Sequence, residues 1–352
     1  MKRVIWIVTT LAMTAATAVA NDGPFLSVPA GGILFKKTDA VSMEKEELFI
    51  SEDLIRVSYV FRNTTPEEFK TEVAFPLPVY GLGDFEGMKP NYAKFTVKVD
   101  GQPVEYRTIN RAVMVENPDK KWPVPTRGDW KVAKDVTEIV AKHGLTGDPE
   151  KVWEKLDALS DAAKTELIEA GVMAKQEDRV FPVWFVQTAY VWEQVFPSNA
   201  ELRVEHEYEP QRGYLGEWHL DPFYERVNNR TLEYDKVPKF GSAEFVSQTS
   251  EFQKRFEIDQ SVLGWAKKQL AANKRFSFVV VDYILTTAAY WKGPIKEFTL
   301  TIEKPGGATP VAVSTAVEGL KKTGDHRFQV KKKDFVPEKD LSILFIHALD
   351  PF

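Results

Sequence analysis

Between Phe181 and Pro210 the chain holds two strand-like runs separated by a turn, and their period of two limits what it can fold into. Along FPVWFVQTAYVWEQVF the even positions Trp184, Val186, Tyr190, Trp192 and Phe196 share a face, because successive side chains of a strand point to opposite sides. After Pro197-Ser198-Asn199, Leu202, Val204, His206 and Tyr208 share one face, and Glu201, Arg203, Glu205, Glu207 and Glu209 share the other. An apolar side and a charged, solvated side on two consecutive segments fit an antiparallel hairpin over a core. His206, flanked by Val204 and Tyr208 on the apolar side, reads as a core histidine rather than a ligand.

The same period continues on both sides of this stretch. Ile55, Val57, Tyr59 and Phe61 alternate with Arg56, Ser58 and Arg62, and Asn63-Thr64-Thr65-Pro66 supplies turn chemistry. Thr71, Val73 and Phe75 make a return face that Pro76-Leu77-Pro78 ends, since proline cannot donate to a ladder. Asp100-Gly101 closes a tight hairpin between Phe95–Val99 and Val104–Thr108. Towards the C-terminus, Phe276 to Leu285 is nearly continuous in apolar residues and reads as a central strand, followed by Glu297–Glu303, Val311–Val317, His326–Val330 and Leu341–His347.

Helical spacing interrupts this pattern in two places. From Asp129 to Gln176, Asp129 caps a helix presenting Val132, Val136, Ile139 and Val140, Asp148-Pro149 starts a second, and Leu167, Ile168 and Val172 mark a third. Ile258, Val262, Trp265, Ala266, Gln269 and Leu270 describe one further helical face. The expected fold class is therefore mainly β: two β-sandwich-like lobes with a helical insertion. The expected organisation is a signal peptide at 1–20, an N-terminal β-sandwich region at 21–125, the helical insertion at 126–177, and at 178–352 the central hairpin, a long loop, a helix and a C-terminal β-sandwich region.

The beginning of the chain bears on compartment. Lys2 and Arg3 precede an apolar run from Val4 to Ala16, and Ala18-Val19-Ala20 has the small-x-small form of a secretory cleavage site. The run is shorter than the ~20 residues a spanning helix needs. Cleavage near Ala20 and a periplasmic or secreted product are expected. The chain contains no Cys, which excludes disulfides, thiol nucleophiles and thiolate metal sites. With 46 basic and 51 acidic side chains and no basic block, nucleic acid is not expected as a partner. Lys331-Lys332-Lys333 is the one tight basic triplet, and near a strand end it fits a solvated edge that discourages aggregation.

Several segments resemble a known family. Tyr190-Val191-Trp192-Glu193-Gln194-Val195-Phe196-Pro197, Val204-Glu205-His206-Glu207-Tyr208-Glu209-Pro210, Tyr283-Ile284-Leu285-Thr286-Thr287 and Trp291-Lys292-Gly293-Pro294-Ile295 are similar to successive motifs of the bacterial exported family known as domain of unknown function 4424. Asn21-Asp22-Gly23, Ala30-Gly31-Gly32 and Phe75-Pro76-Leu77-Pro78 are similar as well. The resemblance implies fold and compartment. It implies no activity, because the family carries none that transfers residue by residue.

Catalytic motifs do not emerge from the residues themselves. No two of the five His lie at metal-ligand spacing, and no G-x-S-x-G elbow, phosphate-cradling loop or dinucleotide fingerprint occurs, so no cofactor or metal is expected. Aromatic side chains are the more informative inventory. Trp184, Trp192 and Trp265 fit core positions, whereas Trp122 and Trp130 flank Pro123–Asp129 at the edge of the helical insertion, where core packing explains them least. Trp218 and His219 fall in the irregular stretch Gln211–Ser250, and loops that long are often functional. These four residues are the candidate ligand-binding set, since binding sites combine aromatic walls with a few placed polar groups. The expected function is a non-enzymatic ligand-binding or protein-interaction module of the cell envelope, with a small molecule or an envelope protein as partner. The alternative is a carboxylate-dependent hydrolase, acting for example on glycans.

Overall fold

The computed structural model describes residues 23–27, 34–35, 37–77, 79–82, 95–116, 132–146, 151–176, 179–210, 212–215 and 255–350. Strands are numbered β1 to β21 and helices α1 to α4 in chain order. Among these residues the protein is mainly β. Sheet I has the order β10 (Val132–Asp135), β9 (Arg107–Val115), β13 (Phe185–Phe196), β5 (Phe69–Pro76), β1 (Gly23–Ser27), β2 (Leu34–Phe35), with β6 (Tyr80–Gly81) against the start of β13. Sheet II runs β19 (Lys321–Lys322), β20 (Arg327–Phe335), β17 (Ile295–Glu303), β3 (Val41–Ile50), β4 (Ile55–Asn63), β14 (Glu201–Tyr208), β7 (Thr96–Val99), β8 (Gln102–Pro103). Sheet III runs β15 (Arg212–Leu215), β16 (Arg275–Tyr283), β21 (Leu341–Leu349), β18 (Val311–Ser314). Strands β11 (Met173–Gln176) and β12 (Arg179–Pro182) form a separate ribbon. Sheet II joins distant parts of the chain: β17 lies parallel to β3, with Leu300 opposite Leu48.

The strands on either side of Pro197-Ser198-Asn199 do not pair with each other. Strand β13 bonds to β5 and β9 in sheet I, while β14 bonds to β4 and β7 in sheet II. The expected hairpin is an arch: the chain crosses from one sheet to the other, and the apolar faces meet through side chains, with the Trp192 and His206 rings 5.3 Å apart. A second arch lies beside it, because β4 belongs to sheet II and β5 to sheet I. Both arches occur because each segment has one oil-facing side, and two such sides can be buried either by pairing edge to edge over a third element or by facing one another. Here they face one another.

Sheet II is the common floor. On its inner surface Phe61 of β4 meets Phe196 of sheet I at 5.9 Å, while Tyr59 of β4 bonds Tyr283 of sheet III through their hydroxyls at 2.8 Å. One continuous core therefore includes Val57, Tyr59, Phe61, Phe75, Tyr190, Trp192, Val281, Phe298 and Phe345. Each such side chain contributes about 2 to 3 kcal/mol through removal of apolar surface from water. Sheet III is buried on its far side too, where Phe278, Val280 and Ile346 pack on Val262, Leu263 and Ala266 of α4 (Gln260–Ala271). The near-continuous apolar run of β16 follows from this double burial. Asp259 starts α4, its carboxylate accepting from the amides of Ser261 and Val262 at 2.9 Å.

Between β10 and β11 lie α1 (Thr137–Lys142), α2 (Val152–Asp157) and α3 (Asp161–Glu169), which bury Val140, Val152, Leu156 and Leu167 in one cluster with Ala112 of sheet I and Trp184, the residue before β13. The start of this stretch differs from expectation. Val132 belongs to strand β10, and the first helix begins only at Thr137, where Asp135 accepts from the Thr137 amide at 2.8 Å. Asp129, Asp148 and Pro149 lie outside the described residues. The tight turn at Asp100-Gly101 is present, with φ of 47° and 78° at its two central residues, a left-handed pair that aspartate and glycine tolerate best.

Candidate functional site

The two ends of the sandwich differ in character. At the arch end, Asn63 is fully buried: its Nδ2 donates to the carbonyls of Glu67 at 2.8 Å and Phe196 at 3.0 Å, and its Oδ1 accepts from the Thr65 amide at 2.9 Å. Trp291 packs here on Phe61 at 4.6 Å and Phe196 at 5.7 Å. Lys292 donates its amide to Val41 O at 2.9 Å, and Gly293 takes the left-handed φ of 75° that suits glycine. The arch end is closed and packed. Trp192 and Trp291, which anchor two of the segments resembling the family, are core side chains.

At the opposite end the chain leaves the sheets on long connections. Gly81 and Val113 both stand opposite Phe185 at the start of β13, and Val132 stands opposite Val115. Leu82, Glu116 and Val132, the described residues that flank connections 83–94 and 117–131, are therefore at this end. In sheet II, Thr96 pairs with Glu207, which brings the far side of connection 83–94 to the same end of β14. His347, opposite Ser277 near the start of β16, bonds Glu52 in the β3–β4 turn, at the end of sheet II where Ile55 faces Tyr208, and antiparallel β15 places Leu215 opposite the adjacent Phe278. Trp122 and Trp130 belong to connection 117–131, and Trp218 and His219 follow Leu215. All four candidates lie outside the described residues.

Beside the anchors of connection 117–131 sits a polar cluster that periodicity did not single out. Arg111 is 4% exposed and Gln187 3%, on the face of sheet I opposite the main core. The Arg111 guanidinium donates to Asp135 Oδ2 from Nε at 3.0 Å and from Nη2 at 2.7 Å, and to Gln187 Oε1 from Nη1 at 3.0 Å. Burial pushes the Asp135 carboxyl up, but the bonds from Thr137 and the charge of Arg111 outweigh it and hold the group below the usual carboxylate value. The cluster lies among Val113, Val115 and Phe185, so that a fixed positive charge with its counter-ion stands in an apolar surround. One sequence signal could have found it: Arg111 interrupts the row Ile109, Val113, Val115.

Three of the four described histidines have structural partners or surroundings, and the fourth, His326, is exposed. His206 is 1% exposed, with the rings of Phe75, Phe95, Trp192 and Tyr59 between 4.9 and 5.8 Å from its own, as expected of a core position. His347 on β21 bonds Glu52 in the β3–β4 turn at 2.7 Å, tying sheet III to sheet II. His143 stands 3.2 Å from Glu166 within the helical stretch. Among the described residues no group of His, Asp and Glu has the arrangement of a metal site.

The family signature described as "Domain of unknown function (DUF4424)" matches residues 20–344. No curated protein matches the chain. Among solved structures, a Legionella pneumophila protein described provisionally as nutrient binding superposes with a TM-score of 0.39 at 15% identity, over 94% of this chain and 72% of that one. The signature spans nearly the whole sequence, and the chain belongs to the family of domain of unknown function 4424.

Proposed function

We propose that this is an exported, non-enzymatic binding module of the cell envelope, which takes a small molecule or an envelope protein at the loop end of its sheets. Trp122, Trp130, Trp218 and His219 are the residues proposed to make the contact. The observation that carries this reading is positional: both connections bearing these four residues leave the sheets at the same end, from Glu116, Val132 and Leu215. A scaffold whose opposite end is locked by Asn63 and Trp291 can hold variable connections in place without itself changing. Aromatic rings offer large contact area at low entropic cost, which suits a recognition surface better than a reaction centre.

Export rests on Lys2, Arg3, the apolar run and Ala18-Val19-Ala20, with cleavage proposed near Ala20. Among the described residues no helix is long and apolar enough to cross a membrane. The experiment that tests the function is affinity capture with the mature protein from envelope extract, identifying proteins and small molecules together, repeated with Trp122→Ala and Trp130→Ala. Loss of the captured species in both variants is the expected result. Retention in both contradicts the proposed contact.

A further inference from the structure

The polar cluster on the outer face of sheet I holds more donors than the described residues use. Gln187 of β13 stands opposite Arg111 of β9, and both side chains are more than nine-tenths buried. The guanidinium spends its Nε and one N–H of Nη2 on Asp135 Oδ2, and one N–H of Nη1 on Gln187 Oε1. Among the described residues nothing accepts from its remaining N–H groups or from Gln187 Nε2. Each acceptor oxygen of the cluster, by contrast, already receives a donor. Asp135 Oδ2 and Gln187 Oε1 take theirs from Arg111, and Asp135 Oδ1 takes the Thr137 amide at 2.8 Å. Buried donors of this kind ordinarily have a partner, because leaving them unmet costs their lost hydration.

The neighbouring strand is broken at the level of Gln187. On that side of β13, Ala189 pairs with Pro76 and Val186 with Tyr80, so neither β5 nor β6 places a residue opposite Gln187. Val113, Val115 and Phe185 form an apolar cluster on the same face. What suits such a place must accept hydrogen bonds without needing to donate, as a carbonyl oxygen does. Charge decides between a neutral and an ionised acceptor. Arg111 and Asp135 already sum to zero, so a carboxylate would bring an unmatched negative charge into an apolar surround, whereas a ketone, ester or amide oxygen brings none.

We propose that Arg111 and Gln187 form a subsite for the uncharged carbonyl oxygen of an apolar small molecule, whose hydrocarbon part lies against Val113, Val115 and Phe185. Asp135 is a positioning residue: it holds the guanidinium by its Nε and Nη2 side and does not touch the ligand. Phe185 and Val115 stand at the loop end of sheet I, so the subsite rests on the function proposed above and names the chemistry of what is taken there.

The test titrates the natural chain with an uncharged naphthalene bearing one ketone, whose fluorescence reports hydrogen bonds to its carbonyl, and with the same naphthalene lacking the ketone. Two variants accompany it. Q187E keeps an oxygen for Arg111 Nη1 but turns the Nε2 donor into an acceptor, and Q187L removes both. The expected result is saturable binding of the ketone to the natural chain, about tenfold tighter than that of the ketone-free probe and about tenfold weaker in either variant, with the hydrogen-bonded emission lost. Equal binding of the two probes, no saturable binding, or unchanged affinity in a folded variant overturns the proposal. Should neither variant fold, the comparison of the two probes on the natural chain decides. The capture experiment with Trp122→Ala and Trp130→Ala reads the other claim separately: a failed ketone titration leaves it standing, and retention there with ketone binding intact contradicts the loop contact alone.

Discussion

Asn63 Nδ2 donates to Phe196 O at 3.0 Å, so the two places where the chain crosses between sheets I and II are joined at one buried side chain. The Asn199 amide completes the junction by donating to Thr65 O at 3.0 Å, with Asn199 itself at a φ of 51°. Asn63→Ala would take the side-chain donor from the buried Phe196 carbonyl and the acceptor from the Thr65 amide, while the Glu67 carbonyl keeps the Thr65 hydroxyl. The expected loss is about 3 kcal/mol of unfolding free energy, read by urea denaturation. Ser198→Ala, at the exposed tip, serves as the control that should change little.

Arg111 and Asp135 form the most deeply buried ion pair among the described side chains, at 4% and 9% exposed. Removing one partner leaves the other charged in an apolar surround, so Arg111→Ala is expected to cost about 3 to 5 kcal/mol. The pair also sets an acid limb. Folding holds the Asp135 pKa below its unfolded value, which contributes stability at neutral pH that is lost as pH falls through the folded value. Thermal melts of Asp135→Asn should therefore show a shallower decline in stability on acidification than the natural chain.

The β20 edge of sheet II makes a prediction about solubility. Strand β19 pairs only with Phe328 and Gln329, and among the described residues no strand lies outside Val330–Phe335. Lys331 and Lys333 are exposed along this open edge, and charge there disfavours pairing with another chain. Lys331→Thr combined with Lys333→Thr should leave the melting temperature within a few degrees of the natural chain while increasing self-association in light scattering. Unchanged scattering at high protein concentration would show that the lysines have no protective role.

Alternation in the sequence identified which side of most strands faces oil. Leu202, Val204, His206 and Tyr208 are buried, and Glu201, Arg203 and Glu207 are exposed, as their spacing requires. Asp100-Gly101 declared its turn because few other pairs accept two left-handed residues in succession. Pairing was less legible. A period of two says that a face is buried but not whether its neighbour in sequence lies beside it in a sheet or across from it, which is why β13 and β14 read as a hairpin and form an arch. The parallel contact of β3 with β17 joins residues about 250 positions apart, and nothing local encodes it.

Two buried ionisable residues were hidden for different reasons. Glu46 lies on the core side only because of the bulge after Met43, and a one-residue slip reverses every assignment beyond it. Arg111 was visible as a break in an apolar row, but its partners came from β10 and β13, which the sequence does not connect. The candidate contacts Trp122, Trp130, Trp218 and His219 were drawn from stretches without periodicity, where residue type is the main signal available.

The most direct measurement is an amide-exchange footprint of the mature protein with and without the species it captures from envelope extract. Binding at the loop end predicts new protection at residues 79–82, 112–116, 132–135 and 212–215, and none at the arch residues 64–68 and 197–200. Protection confined to the arch residues, with the loop end unchanged, would contradict it.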